Sequence, residues 1–134
     1  MSAPLRNSTV VTLCVIALLT AGHLGRAADK NAKHVTLTID YGDGFQKRYT
    51  KIRWQAKMTV LDVTQLAQKH KRGIKIRYRG RRSTAFLQQI DDLKNEGRGR
   101  NWLYLVNGKL GDRSFALFRV QAGDHILWKF GKYK

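Results

Sequence analysis

The sequence has almost no cysteine and almost no proline. Its 134 residues contain one of each, Cys14 and Pro4, and both lie near the start of the chain. A single cysteine excludes a disulfide-stapled scaffold and a Cys-rich zinc module. Acidic residues are scarce too, since 9 Asp and Glu stand against 26 Lys and Arg, for a formal net charge of +17. With 43% hydrophobic residues, the composition is that of one small, basic, globular domain and excludes a wholly disordered chain.

The first 27 residues have the three-part pattern of a secretory signal peptide. Arg6 precedes an uncharged apolar stretch at 9–21, and the small residues Gly25 and Ala27 suit cleavage after Ala27. An uncleaved membrane anchor is the alternative, but crossing the hydrocarbon needs about 20 apolar residues, more than this stretch offers. We therefore predict a secreted protein, or one held in the periplasm or cell envelope. The predicted parts are a signal peptide at 1–27, a short leader at 28–33 and a folded domain at 34–134.

Alternating polarity predicts a domain made mostly of strands. Residues 34–41 alternate between apolar and polar side chains, and residues 45–54 have the pattern of a returning strand. The glycine-rich turn at 42–44 is short enough for an antiparallel hairpin. Asn107 and Gly108 are a second strong turn signal. The remaining expected elements are strands at 74–78, 101–106, 115–120 and 125–130, a short strand or helical turn at 86–90, and a loop at 91–100.

One helix is expected after the first hairpin. Thr59 and Asp62 have the spacing of a capping box, and apolar residues then recur at helical spacing, which predicts a helix at 60–70. Gly73 suits the left-handed residue that often ends a helix. A hairpin, one helix and further strands is the order of an α+β domain of the β-grasp (ubiquitin-like) fold, with the helix packed on a mixed sheet.

Three segments give this fold a resemblance to a known family. They are the helix entry TVLD at 59–62, the stretch GRNWLYLVNG at 99–108 and the ending GDHILW at 123–128. In this order they resemble the transcobalamin C-terminal-like family, a domain of unknown function in exported bacterial proteins. The resemblance covers about residues 34–130 and implies a β-grasp fold of the soluble-ligand-binding kind. In the cobalamin carriers such a domain closes over a corrinoid.

The aromatic residues Trp102, Tyr104 and Trp128 are the candidates for a small-ligand site, with Asn107 as a residue that could orient a polar ligand group. Two other interpretations stay open, because large aromatics on strands usually form the core and Asn-Gly pairs usually form hairpin turns. The histidines lack metal-ligand spacing, so we expect no metal site. Neither a nucleophile motif nor a Gly-rich phosphate loop is present, so we expect no enzyme.

The segment 69–82 is the most basic part of the chain, with 8 Lys or Arg among 14 residues. Lys75, Arg77 and Arg79 are expected on one strand face about 7 Å apart, and Arg81 and Arg82 continue the series into a loop. Such a series suits an acidic polymer. The alternative is a solvated edge strand that its charge protects from pairing. Nucleic acid is a poor candidate, because the chain is predicted to be exported and single-strand binders interleave several aromatics with their cations.

Together these patterns predict an exported, non-enzymatic β-grasp binding module. Its ligand would be small and planar, of corrinoid type, and no other cofactor and no membrane span are expected in the mature chain. Two alternatives remain: attachment to an acidic envelope polymer through residues 69–82, and a protein-interaction module that uses an exposed strand edge.

Overall fold

A computed structural model describes residues 33–134. The predicted signal peptide and all of the leader except Lys33 lie outside the described residues. The described part contains eight strands and one α-helix. Their bounds are β1 His34–Asp40, β2 Gln46–Arg53, α1 Val60–Gln68, β3 Ile76–Arg79, β4 Phe86–Ile90, β5 Leu93–Lys94, β6 Asn101–Val106, β7 Lys109–Leu110 and β8 His125–Gly131, with a 3-10 turn at Arg82–Thr84 between β3 and β4.

The strands form two sheets. The larger sheet has five strands in the order β2-β1-β8-β6-β7, and the smaller sheet has three in the order β3-β4-β5. The first and last strands, β1 and β8, are parallel neighbours inside the larger sheet, whereas its other pairs are antiparallel. The predicted α+β class, with one helix and a mixed sheet, is confirmed. The β-grasp assignment stays a prediction.

Helix α1 packs its buried side on the larger sheet. Val60, Val63 and Ala67 of the helix are buried in the same core as Leu37 of β1 and Ile126 of β8. Removal of these apolar surfaces from water is the main favourable contribution to folding. The helix and the sheet that it covers are therefore held together chiefly by apolar contact.

The start of α1 has a clear local cause, and its end differs from the sequence prediction. The predicted capping box at the start is confirmed: the Asp62 amide donates to Thr59 Oγ1 at 3.3 Å, and the Thr59 amide donates to Asp62 Oδ2 at 2.8 Å. The helix ends at Gln68, two residues earlier than predicted. The prediction that Gly73 is left-handed is wrong, since Gly73 does not have a positive φ. Gly73 instead lies so close to the helix end that a Cβ there would be 2.6 Å from the Gln68 carbonyl oxygen.

The predicted strand at 115–120 is wrong. The segment forms turns, and only Arg119 makes an isolated bridge, to Thr59. Its backbone carbonyls instead accept hydrogen bonds from the first amides of α1. Phe118 O accepts from the Val60 amide and Phe115 O accepts from the Leu61 amide, each at 3.0 Å. The first amides of a helix lack partners within the helix, so this segment acts as a backbone cap.

The smaller sheet differs from the sequence prediction at both ends. The strand expected at 74–78 begins only at Ile76, and the ambiguous segment 86–90 is a strand. The predicted loop at 91–100 contains the two-residue strand β5, which pairs with β4.

The Asn107–Gly108 turn is confirmed by the positive φ of both residues and by the short partner strand β7 that follows it.

Candidate functional site

The three predicted ligand-wall aromatics lie together on neighbouring strands, facing the core. Trp102 and Tyr104 are on β6, and Trp128 is opposite Tyr104 on β8, with 5.4 Å between the centroids of those two rings. Their exposed fractions are 6%, 9% and 2%. The structure therefore brings these three residues together, and most of their surface is part of the core.

The polar atoms of these aromatics already have partners inside the protein. The Trp102 indole donates to Leu93 O at 2.8 Å, the Trp128 indole donates to Thr64 Oγ1 at 3.0 Å, and the Tyr104 hydroxyl donates to Arg113 O. Burial raises the pKa of the Tyr104 hydroxyl, which stays protonated at neutral pH. A ligand at this place would therefore meet ring surfaces rather than free donors.

An opening lies beside the three aromatics, between β6–β7 and β4. It is a groove of about 240 Å³, which we call the aromatic groove. Phe86 and Leu110 lie on its wall with exposed fractions of 50% and 42%, whereas the neighbouring Phe115 is buried. The other side chains lining it are Ala85, Leu87, Leu103, Arg113 and Ser114, together with Gly111.

Asn107 does not line the aromatic groove. Its amide group donates to Asp124 Oδ1 at 2.8 Å and accepts from the His125 amide at 2.9 Å. The side chain thus ties the β6–β7 turn to the start of β8. The structure gives Asn107 a role in the turn and places it apart from the aromatic candidates.

The predicted basic residues lie on the smaller sheet and its hairpin loop. Arg77 and Arg79 are exposed on β3, and exposed Lys75 directly precedes this strand. Arg81 and Arg82 are exposed in the loop between β3 and β4, where Arg82 has a φ of +50°. The structure places all five along one hairpin.

A further cation that the sequence pattern does not indicate lies on the same sheet. Lys94 lies on β5, two strands away from Arg77, because Gln89 of β4 pairs with both. The segment around Lys94 has no alternation that would predict a strand, so the sequence contained no local signal for this neighbour. The pairing arises from the tertiary fold.

The carboxylate of Asp91 accepts hydrogen bonds from three different residues. Its side chain accepts from Tyr41 Oη at 2.5 Å, from Lys47 Nζ at 3.1 Å and from the Lys75 amide at 2.9 Å. Burial alone would raise the pKa of this carboxyl, but the hydrogen bonds from Tyr41, Lys75 and Lys47 outweigh it and lower the pKa.

Within residues 33–134, no three His, Cys, Asp or Glu side chains are grouped so that they could hold a metal ion.

The helix of residues 33–134 has neither the length nor the apolar character that a membrane crossing requires.

Two solved structures share the fold. One is a candidate metal binding protein from Ruminococcus gnavus, 17% identical, with a TM-score of 0.58; the match covers 75% of this chain and 99% of that one. The other is haptocorrin in complex with Cbi, 18% identical, with a TM-score of 0.63; the match covers 77% of this chain and 26% of that one.

These identities establish a likeness of fold alone, and the match spans only about a quarter of the haptocorrin chain. No curated protein matches this chain. The sequence pattern of the family described as "Domain of unknown function (DUF4430)" matches residues 58–132, which is more than half of the chain. The likeness to haptocorrin agrees with the resemblance to the transcobalamin C-terminal-like family. The chain belongs to the DUF4430 family.

Proposed function

We propose that this protein is an exported, non-enzymatic binding module that takes the edge of a small planar ligand of corrinoid type into the aromatic groove. The observation that carries the proposal is the groove itself. Three core aromatics form part of its inner wall, beside the exposed apolar side chains of Phe86 and Leu110. A concave, mostly apolar surface with a few polar groups at its rim is the usual form of a small-molecule site.

The geometry limits how such a ligand would bind. The polar atoms of the three aromatics are occupied, so affinity would come from burial of apolar ligand surface against rings and aliphatic side chains. The volume of about 240 Å³ is below the range of about 300–1,000 Å³ in which drug-sized ligands are enclosed, so the groove would hold one edge of a macrocycle. The Arg113 guanidinium at the rim already donates to both carboxylate oxygens of Asp112, at 2.9 and 3.1 Å, so it adds little free positive charge to the groove.

The comparisons support a binding role. One protein of the same fold is in complex with Cbi, and the other is described as a candidate for metal binding. A metal role is less well supported in this chain, given the arrangement of its His, Asp and Glu side chains between residues 33 and 134. A planar organic ligand is therefore the better candidate.

A ligand that enters the aromatic groove should quench the fluorescence of Trp102 and Trp128 saturably. We expect this for at least one member of a panel of corrinoids and tetrapyrroles. Coloured ligands absorb emitted light, so quenching alone is not proof of binding. A thermal shift on the same samples provides a second readout, because a bound ligand raises the apparent stability. Leu110→Asp places a charge at the groove wall and should weaken binding about tenfold.

Leu117→Asp is the matched control, since Leu117 has a similar exposed fraction of 43% but does not line the groove. This variant should bind like wild type. Equal loss in the two leucine variants, or no saturable response from a folded wild-type protein, would return Trp102 and Trp128 to a purely structural role.

Export is tested separately from ligand binding. If the segment 1–27 is a signal peptide, the protein recovered from the producing cell should begin at Ala28, because processing follows the small residues Gly25 and Ala27. Intact-mass spectrometry of the purified protein measures this directly. Recovery of the full chain beginning at Met1 would contradict the export step while leaving the ligand proposal intact.

A further inference from the structure

A β-bulge shapes the outward face of the smaller sheet. Arg77 of β3 is opposite Gln89 of β4, but the next residue, Tyr78, is opposite Leu87, so Gln88 is an extra residue on β4. Bulges change the direction of side chains, and here Gln88 and Gln89 are both half-exposed while Leu87 is buried. Two consecutive amide side chains therefore lie on the same outward face.

Three cations surround these amides. Arg77, Gln89 and Lys94 form a row across the three strands, and Arg79 is opposite Phe86 in the row beside it. From ordinary strand spacing, Arg77 and Arg79 are about 7 Å apart along β3, and Arg77 and Lys94 are about 10 Å apart across the sheet. All three cations are exposed, and none makes an ion pair with a carboxylate of the described residues.

These side chains line an open groove of about 350 Å³, which we call the cationic groove. The Arg79 guanidinium lies over the Phe86 ring, with 5.4 Å between Cζ and the ring centroid, while half of the Phe86 surface remains exposed. The side-chain amide of Gln89 donates a hydrogen bond to Asp91 O at 2.6 Å. Gln88 lines the groove, is half-exposed and makes no side-chain hydrogen bond to the described residues.

We propose that the cationic groove binds an acidic polysaccharide. The cations suit carboxylates or sulfates that repeat along a sugar chain, and the Gln88 amide can both donate to and accept from ring hydroxyls. The exposed part of the Phe86 ring provides an apolar surface for one face of a sugar. This site differs from the cluster seen in the sequence, because Lys94 belongs to it whereas Lys69, Lys71 and Arg72 lie outside the smaller sheet.

The composition of the groove favours sugar over nucleic acid. Proteins that bind single strands stack successive bases on several aromatic side chains. The cationic groove has one aromatic, Phe86, and the Arg79 guanidinium lies over its ring. Amide groups beside separated cations suit a polymer with hydroxyls between its charges. Single-stranded DNA is accordingly the competing ligand in the test.

The test measures binding of an alginate oligosaccharide and of an oligo-dT of equal charge by calorimetry at two salt concentrations. Wild type should bind the alginate oligosaccharide more tightly than oligo-dT, and more weakly at high salt. The triple variant Arg77→Glu, Arg79→Glu and Lys94→Glu should lose about tenfold or more of this affinity, because each charge pair lost reduces the release of counterions. Phe86 is left unchanged because it also borders the aromatic groove, so the two sites are tested independently.

Two further variants separate charge from a built site. Arg53→Glu, Arg119→Glu and Lys129→Glu together change the net charge equally at exposed positions elsewhere, and this variant should keep most of the affinity. Gln88→Ala should weaken alginate binding about threefold, the loss of one hydrogen bond, and leave oligo-dT binding unchanged. Thermal melts of every variant confirm that it is folded.

Three outcomes would overturn the proposal. Equal loss in the two triple variants would mean that total charge, and not the groove, attracts the polymer. Tighter binding of oligo-dT, with the same dependence on Arg77, Arg79 and Lys94, would identify a nucleic-acid site. No binding of either polymer by wild type would leave the cations as a solvated face.

Discussion

At the scale of single residues, the β6–β7 turn shows where backbone conformation alone decides the amino acid. Asn107 has a φ of +50° and Gly108 a φ of +80°. Positive φ at both central residues defines the type I′ turn that suits the twist of a two-residue hairpin. A Cβ on Gly108 would meet no heavy atom within 4 Å. Space is therefore free at this position, and glycine is needed for its left-handed conformation.

Gly108→Val should lower the free energy of unfolding by about 1–2 kcal/mol, because a side chain clashes with its own backbone in the left-handed region. The β-branch of valine makes this region still less accessible. Gly108→Asn is the control, since asparagine enters this region with little strain, and it should stay close to wild type. Urea unfolding followed by circular dichroism gives both values. Identical midpoints for wild type and Gly108→Val would show that the turn relaxes without cost.

The candidate aromatics show the limit of what one residue reveals. Trp102, Tyr104 and Trp128 are spaced as inward-facing strand residues, which the sequence does show. Whether an inward-facing ring ends in a sealed core or at a groove depends on what packs beside it. Here the neighbours are Leu110 and Phe86, from two different strands. The Asn107–Gly108 turn connects the strand of Leu110 to β6 locally, but no local pattern connects the strand of Phe86 to β6 and β8.

At the scale of elements, the sequence predicted well wherever the signal was local. Strands β1 and β8 follow from alternation, β2 from its place as the returning strand of a hairpin, and β6 from a short apolar run that ends at a turn signal. Helix α1 follows from its apolar spacing and from the capping-box spacing of Thr59 and Asp62. Each of these signals involves residues within a few positions of one another. The central parallel pair of β1 and β8 was predictable only as part of a mixed sheet expected from the order of elements.

Elements shaped by distant partners were predicted poorly. The segment 115–120 has strand-like residues, yet its carbonyls bond to the first amides of α1 and it forms turns. The strand β5 is only two residues long and exists through its pairing with β4. The cationic groove has the same origin: Arg77 and Arg79 follow from alternation, whereas Gln88 and Lys94 join them through a bulge and a strand pairing.

At the scale of the whole molecule, Asp91 connects the two sheets. Its carboxylate bonds to Tyr41, which follows β1, to Lys47 of β2, and to the backbone of Lys75, which precedes β3. The first two partners belong to the hairpin of the larger sheet, and the third leads into the smaller sheet. Since basic residues outnumber acidic ones by 26 to 9, each ionised carboxylate also offsets the repulsion within a strongly positive chain.

The junction at Asp91 should make the domain sensitive to acid. Because the pKa of Asp91 is lower in the folded protein than the value of about 3.9 expected when unfolded, its stabilisation is complete above that value and is lost as the pH falls through the folded pKa.

Asp91→Asn should lower the free energy of unfolding at pH 7 by about 1–3 kcal/mol, since the hydrogen bonds to a charged group are weakened. Urea unfolding at pH 7 and at pH 3 should show this gap from wild type shrinking in acid, because at pH 3 Asp91 of the unfolded chain is already mostly protonated and the charge-dependent stabilisation is being lost. Asp92→Asn, at the exposed neighbouring position, should change little at either pH. A gap for Asp91→Asn that stays constant from pH 7 to pH 3 would mean that the shape of the side chain, and not its charge, holds the two sheets together.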